Sequence, residues 1–280
     1  EQSITADYRI PMKNITRDYA SIEAGYQFIE YNNTSFESET LSLSAHRYWQ
    51  RDGSPWQHDG SITYLQETYD QGEVNSNTTS LVLPGYSLTY RDKDDDININ
   101  KGSYVQILAQ IGQEGFGSDI DFAKAVVEAT FIRTFGDVHR VSVRGELGAI
   151  KTNSFDEVPT SLRFFAGGDQ SVRGFDYREI SPTAEVIDPE TGDFILDSIG
   201  GKYLATSSIE YAYQFADNWR AAAFVDVGTA TNDVNTTLTY SVGPGVHWLS
   251  PIGPVRFYIA RGFAPDENTW QLHIMLGPEL

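Results

Sequence analysis

Apolar and polar residues alternate one for one through long stretches of this chain, and a period of two commits a segment to strand rather than helix. In "HRVSVRGELGA" (139–149), Val141, Val143, Leu147 and Ala149 share one face, while Arg140, Ser142, Arg144 and Glu146 share the other. "GKYLATSSIEYAYQ" sets Tyr203, Ala205, Ile209, Tyr211 and Tyr213 against Lys202, Thr206, Ser208, Glu210 and Gln214. "NWRAAAFVDVGTA" sets Trp219, Ala221, Ala223, Val225 and Val227 against Arg220, Asp226 and Gly228. The closing "TWQLHIMLGPEL" sets Trp270, Leu272, Ile274 and Leu276 against Gln271 and His273. About thirteen such strand candidates can be counted, so the chain is all-β.

Strand length separates a soluble sandwich from a membrane barrel. Strands of soluble proteins average about five or six residues. These run nearer ten, the length that crosses a bilayer when tilted. Aromatic residues make up 13% of the 280, and they collect near strand ends: Tyr48, Trp49, Tyr64, Tyr69, Tyr86, Tyr90, Tyr211, Tyr213, Trp219, Trp248 and Trp270. Amphipathic rings at both borders of an apolar band form an interfacial girdle. The predicted fold is therefore a transmembrane antiparallel β-barrel of the bacterial outer membrane, a single domain over residues 1–280. Short connections at 135–138, 215–218 and 250–254 alternate with longer ones, "NNTSFESE", "DQGEVNSNT" and a segment over 152–201. That pattern puts the short turns and the final strand end on the periplasmic side. "RDKDDDINI" is long for that side. The net charge of -19 argues against a nucleic-acid partner, since phosphate binding needs clustered Lys and Arg. Cysteine is absent, which removes disulfides, thiolate metal sites and a cysteine nucleophile.

The segment over 152–201 carries the most informative motif. About fifty residues of mostly turn and loop are seldom kept in an ordered domain without a use, and within them lies "GGDQSVRGFDYREISP". Val172-Arg173-Gly174-Phe175 is similar to the VRGF signature in the sixth external loop of the BamA/TamA superfamily of outer-membrane assembly and secretion barrels. Further matches follow in order: "SSIEYAYQ" at 207–214, "FVDVG" at 224–228 (Phe224 to Gly228) and "GPVRFYIARGF" at 253–263. The wider "LRFFAGGDQSVRGFDYREISP" and the ending "LGPEL" resemble the TamA branch, the translocation and assembly module. The resemblance runs from Glu1 to Leu280. It implies a loop folded back into the lumen, whose Arg173 meets acidic residues on two adjacent strands, Glu210 and Asp226. Alternation independently puts Glu210 and Asp226 on inward faces. An arginine fork can bind both carboxylates as a lysine could not, while Gly174 allows a tight turn and Phe175 fills an apolar gap.

Other constellations carry less. Asp92, Asp94 and Asp96 have calcium-loop spacing, but Ile97 stands where the turn glycine is needed and Ser103 where the bidentate Glu is needed. His46, His58, His139, His247 and His273 lack metal-ligand spacing, and inward Ser142 and Ser208 have no evident His-acid partner. No cofactor, metal or enzymatic activity is expected. The expected partners are outer-membrane lipids, client outer-membrane or autotransporter proteins, and a periplasm-spanning protein. Assembly would draw on the client's own burial and backbone pairing rather than on a nucleotide; a two-partner-type secretion pore and a passive porin are the alternatives.

The family's intact barrel has sixteen strands behind periplasmic POTRA domains, which are not seen in this chain. Closed bacterial single-chain barrels use an even number of strands, so about twelve are expected if the chain is complete, with the first segment plugging or capping. The first and last strands would then meet at a seam weakened by Pro11, Gly277 and Pro278.

Overall fold

A computed structural model describes residues 2–14, 16–30, 37–69, 77–187, 194–233, 238–265 and 268–279. The strands are β1 (Gln2–Asn14), β2 (Asp18–Glu30), β3 (Glu37–Gln50), β4 (Trp56–Tyr69), β5 (Asn77–Lys93), β6 (Lys101–Gly112), β7 (Phe122–Phe135) and β8 (His139–Thr152). They continue as β9 (Thr183–Ile187), β10 (Phe194–Ser198), β11 (Tyr203–Ala216), β12 (Trp219–Thr231), β13 (Thr239–Ser250), β14 (Gly253–Phe263) and β15 (Asn268–Leu276). Thirteen of them form one antiparallel sheet, in which β8 pairs with β11 and all other neighbours are consecutive; β9 and β10 form a separate hairpin.

The sheet is inside-out. Ile209, Val225, Ile259, Leu272 and Ile274 are exposed, whereas Arg140, Ser208, Glu210, Arg220, Asp226, His247 and His273 are buried. The faces follow the alternation: on β12, exposed Ala221, Ala223 and Val225 come between buried Arg220, Ala222, Phe224 and Asp226. Water cannot be the solvent that such an outer face selects; hydrocarbon is.

Contacts across the interior require the sheet to curl. β8 and β15 are five ladder steps apart, about 24 Å on a flat sheet. Yet Arg140 of β8 ion-pairs with Glu279, just past β15, and Arg256 of β14 reaches the same carboxylate at 2.7 Å. Arg220 of β12 likewise reaches Asn98 and Asn100, in the connection between β5 and β6, at 3.1 and 3.2 Å. Asp94–Ile97 of that connection form a solvated turn, while Ile99 is buried. The N–H groups of Asn98 and Ile97 donate to Asp95, holding its carboxyl below the usual carboxylate range. Asp94 accepts from the Asn100 and Lys101 N–H groups.

Several expectations are corrected. Among the described residues the sheet has thirteen strands, as many as the candidates counted from alternation and not the twelve expected of a complete, closed chain, and the first segment neither plugs nor caps: as β1 it pairs with β2 from Gln2↔Phe28 to Asn14↔Asp18. No ladder joins β1 to β15 among the described residues, so the expected first-to-last seam is not formed there. Pro11 stands near the turn end of β1, where the register shifts between Pro11 and Asn14. Gly277 and Pro278 lie beyond β15 rather than within it. The φ of +109° at Gly277 takes the chain out of extended conformation, and its N–H returns to the carbonyl of Pro254 at 3.1 Å. Tyr48 and Tyr69 are not girdle residues. Tyr69 is buried, with its hydroxyl on the Asp156 carbonyl at 2.8 Å, and Tyr48 stacks on Tyr19 beside His46. "NNTSFESE" and "DQGEVNSNT" fall largely outside the described residues.

Candidate functional site

The connection between β8 and β11 packs on the buried side of the sheet and is attached at two places. Its first attachment is a single 3-10 turn, Thr160–Leu162, whose N-terminus is held by a fully buried carboxylate. Glu67 of β4 accepts the Thr160 N–H at 2.9 Å, together with the Thr160 hydroxyl at 2.5 Å. Lys124 of β7 donates to the Leu162 carbonyl at 2.9 Å. Arg163 braces the connection itself, donating to the carbonyls of Val158, Ile199 and Asp156 at 2.9, 3.0 and 2.9 Å.

The second attachment is the tip. Arg173 is 3% exposed, and all three nitrogens of its guanidinium donate hydrogen bonds. Nε and Nη2 form a fork on Asp226, at 2.8 Å to each carboxylate oxygen. Nη1 donates to Glu210 at 2.7 Å, and Nη2 also donates to the Ser208 hydroxyl at 3.0 Å. The Arg173 backbone N–H adds a further bond to Asp226 at 2.9 Å. The guanidinium carbon lies 3.5 Å from the Phe224 ring centroid and 4.6 Å from that of Tyr258, and these two rings meet edge-on with centroids 5.6 Å apart, so they line adjacent sides of the guanidinium while its edge meets carboxylates. The second oxygen of Glu210 lies 3.3 Å from His247 Nε2, and Tyr258 shares a hydrogen bond with that histidine at 2.9 Å.

Glycines on the wall make room for the tip. A Cβ at Gly228 would meet Val172 at 2.8 Å, and one at Gly262 would meet the Phe175 ring at 2.7 Å. Gly174 itself has φ +93°, and a Cβ there would stand 2.8 Å from the Gly262 nitrogen. Val172 and Phe175 are buried beside it. Its N–H donates to His273 Nε2 at 2.9 Å, and its carbonyl accepts from the Thr269 hydroxyl.

The structure therefore brings Val172, Arg173, Gly174, Phe175, Glu210, Asp226, Phe224 and Gly228 together. Pro11, Gly277 and Pro278 stand elsewhere. Sequence reasoning overlooked Glu67, His247, Tyr258 and Gly262. The signal for Gly262 and Tyr258 was available, since both sit at inward parity within "GPVRFYIARGF" and an inward glycine marks a close approach. Glu67 had no such signal, because its partner lies 93 residues away. Among the described residues, no cluster of three or more His, Asp or Glu side chains is placed to hold a metal.

The family model described as the Omp85 superfamily domain matches residues 1–278. Among curated relatives, an outer membrane protein assembly factor BamA from Nitratidesulfovibrio vulgaris is 35% identical over 175 residues, covering 60% of this chain and 21% of that protein. The BamA of Neorickettsia risticii is 31% identical over 167 residues, covering 55% and 21%. The chain thus spans about a fifth of the length of these relatives. Of solved structures, BamA from Haemophilus ducreyi lacking POTRA domains 1-3 superposes with a TM-score of 0.82 at 17% identity, over 98% of this chain and 61% of that one. CdiB from Acinetobacter baumannii gives 0.59 at 16% identity, over 99% and 50%.

Proposed function

The chain belongs to the Omp85 superfamily and to the bacterial outer membrane, and from that premise we propose that it assists outer-membrane or autotransporter client proteins to insert or cross, without a nucleotide and without covalent catalysis. The curated relatives are named as assembly factors. One observation carries the reading furthest: the space that a pore would leave open holds the described part of the connection from Val158 to Phe175, fastened by Arg173 to β11 and β12. We read residues 1–280 as one barrel domain whose interior this loop occupies.

The route we infer is lateral. A client strand in hydrocarbon must pair every backbone group, and addition to a strand edge satisfies them without fuel. The perturbed bilayer and the client's own apolar burial supply the driving force. The TamA-like placement rests on the stretch around Arg173 and on the "LGPEL" ending; a periplasm-spanning partner belongs to the same reading.

The test uses the full protein in lipid vesicles. Conductance is measured, and so is the rate at which an unfolded outer-membrane protein reaches its heat-modifiable form. We expect low, irregular conductance and faster client folding than in empty vesicles, with the gain reduced by Arg173→Ala. Steady, high conductance with no gain in client folding would replace this reading with a porin.

A further inference from the structure

β15 makes contacts with the connection that are separate from the Arg173 ion pairs. Its inward positions recur every second residue, at Thr269, Gln271, His273 and Met275, and the first three each bind the connection. Thr269 donates its hydroxyl to the Gly174 carbonyl. Gln271 Nε2 donates to Asp176 at 2.9 Å. His273 accepts the Gly174 N–H on Nε2 at 2.9 Å. A nitrogen that accepts carries no proton in the neutral ring, so the ring proton is on Nδ1, which faces the Asp169 carboxylate. Three successive inward side chains of one strand therefore hold residues 169, 174 and 176. The outward residues between them, Trp270 and Leu272, are 63% and 67% exposed and contribute nothing to this attachment.

The ladder makes these contacts consequential. Among the described residues β15 has one paired neighbour, β14, along Val255↔Leu276 to Phe263↔Asn268. A strand with one ladder is held less firmly than one with two, because half of its backbone groups lack a strand partner. The side-chain bonds to the connection supply a second support from inside the curl.

We propose that Thr269, Gln271 and His273 are positioning residues that fasten β15 to the connection, so that the placement of this strand depends on the connection as well as on β14. The proposal goes beyond the assembly reading and does not depend on a client. His273 matters through its acceptor nitrogen. Phenylalanine at 273 keeps a ring but leaves the Gly174 N–H without a partner, whereas glutamine offers an oxygen at a similar reach.

The experiment measures backbone hydrogen–deuterium exchange of the full protein in lipid nanodiscs, in peptides covering 268–276 and 203–231. His273→Phe combined with Thr269→Val is expected to speed exchange over 268–276 by about tenfold or more while 203–231 stays unchanged. His273→Gln alone should stay close to the unsubstituted protein. Unchanged exchange over 268–276, or an equal rise in both regions, overturns the proposal. If the double variant fails to reach its heat-modifiable form, Gln271→Ala, which removes only the bond to Asp176, decides the matter by the same measurement: faster exchange over 268–276 with 203–231 unchanged supports the proposal, and unchanged exchange overturns it. The readout does not involve client folding, so the proposal and the assembly reading can fail separately.

Discussion

At the scale of single residues, Arg173 is a buried charge whose partners are two carboxylates, a hydroxyl and two rings. Removing one member of such a set leaves the others charged, desolvated and unpaired. Arg173→Ala should therefore lower stability by about 3–5 kcal/mol, measured by urea titration of the folded protein in lipid. Double-mutant cycles of Arg173 with Asp226 and with Glu210 should show coupling above the 0.3–0.5 kcal/mol or so at which distant sites simply add; strict additivity would sink the contact. Arg173→Lys should not restore it, because an ammonium cannot make the fork. Gly174 gives an independent test. At φ +93°, with the Gly262 backbone beneath it, Gly174→Ala should lift the tip from the wall and open residues 170–180 to protease while Arg173 remains. A cleavage pattern identical to that of the unsubstituted protein would show that the close approach is dispensable.

At the scale of elements, each strand separates two environments, and its two faces should respond differently to the same substitution. Ile209 lies in the middle of β11 and Phe215 near the end of that strand, both 57% exposed. If this face meets hydrocarbon, Ile209→Arg should lower stability by about 2–4 kcal/mol and Phe215→Arg by about 0–1, read from the same lipid-phase titrations. Equal effects at both depths would count against a bilayer across this sheet. The alternation of these strands was legible from the sequence, because pleating enforces a period of two whatever the surroundings, but their length was not: most run 12 to 14 residues rather than about ten. The pairing of Gly277 and Pro278 with a seam was not legible either. Whether a glycine interrupts a strand or follows it is decided by where the ladder stops, and here the ladder stops at Leu276. Tyr69 shows the same limit. Its position at a strand end suggested a girdle, but its parity and the Asp156 carbonyl draw it inward.

At the scale of the whole molecule, the exposed apolar face should make the protein dependent on detergent or lipid, and it should migrate faster unheated than boiled on a gel. A folded, monodisperse monomer in plain buffer would contradict a membrane sheet. The interior binds the curl together through charge. Glu279 joins Arg140 of β8 to Arg256 of β14, and Glu67 of β4 holds the connection that β11 and β12 hold at its tip. The connection is thus a tie between distant parts of one sheet.

The sequence by itself determined the strand class, the inside-out assignment of faces and the inward placement of Glu210 and Asp226, since each follows from local periodicity and residue chemistry. It also singled out Arg173, through a motif that needs no long-range information to be read. Only the tertiary structure decided that Glu67 seats Thr160, that Tyr258 and Phe224 enclose the guanidinium, and that His273 and Thr269 grip Gly174. These contacts join residues from 51 to 99 positions apart. Sequence spacing carries no record of such distances, because they are set by how far the sheet curls and by how deeply the connection enters it.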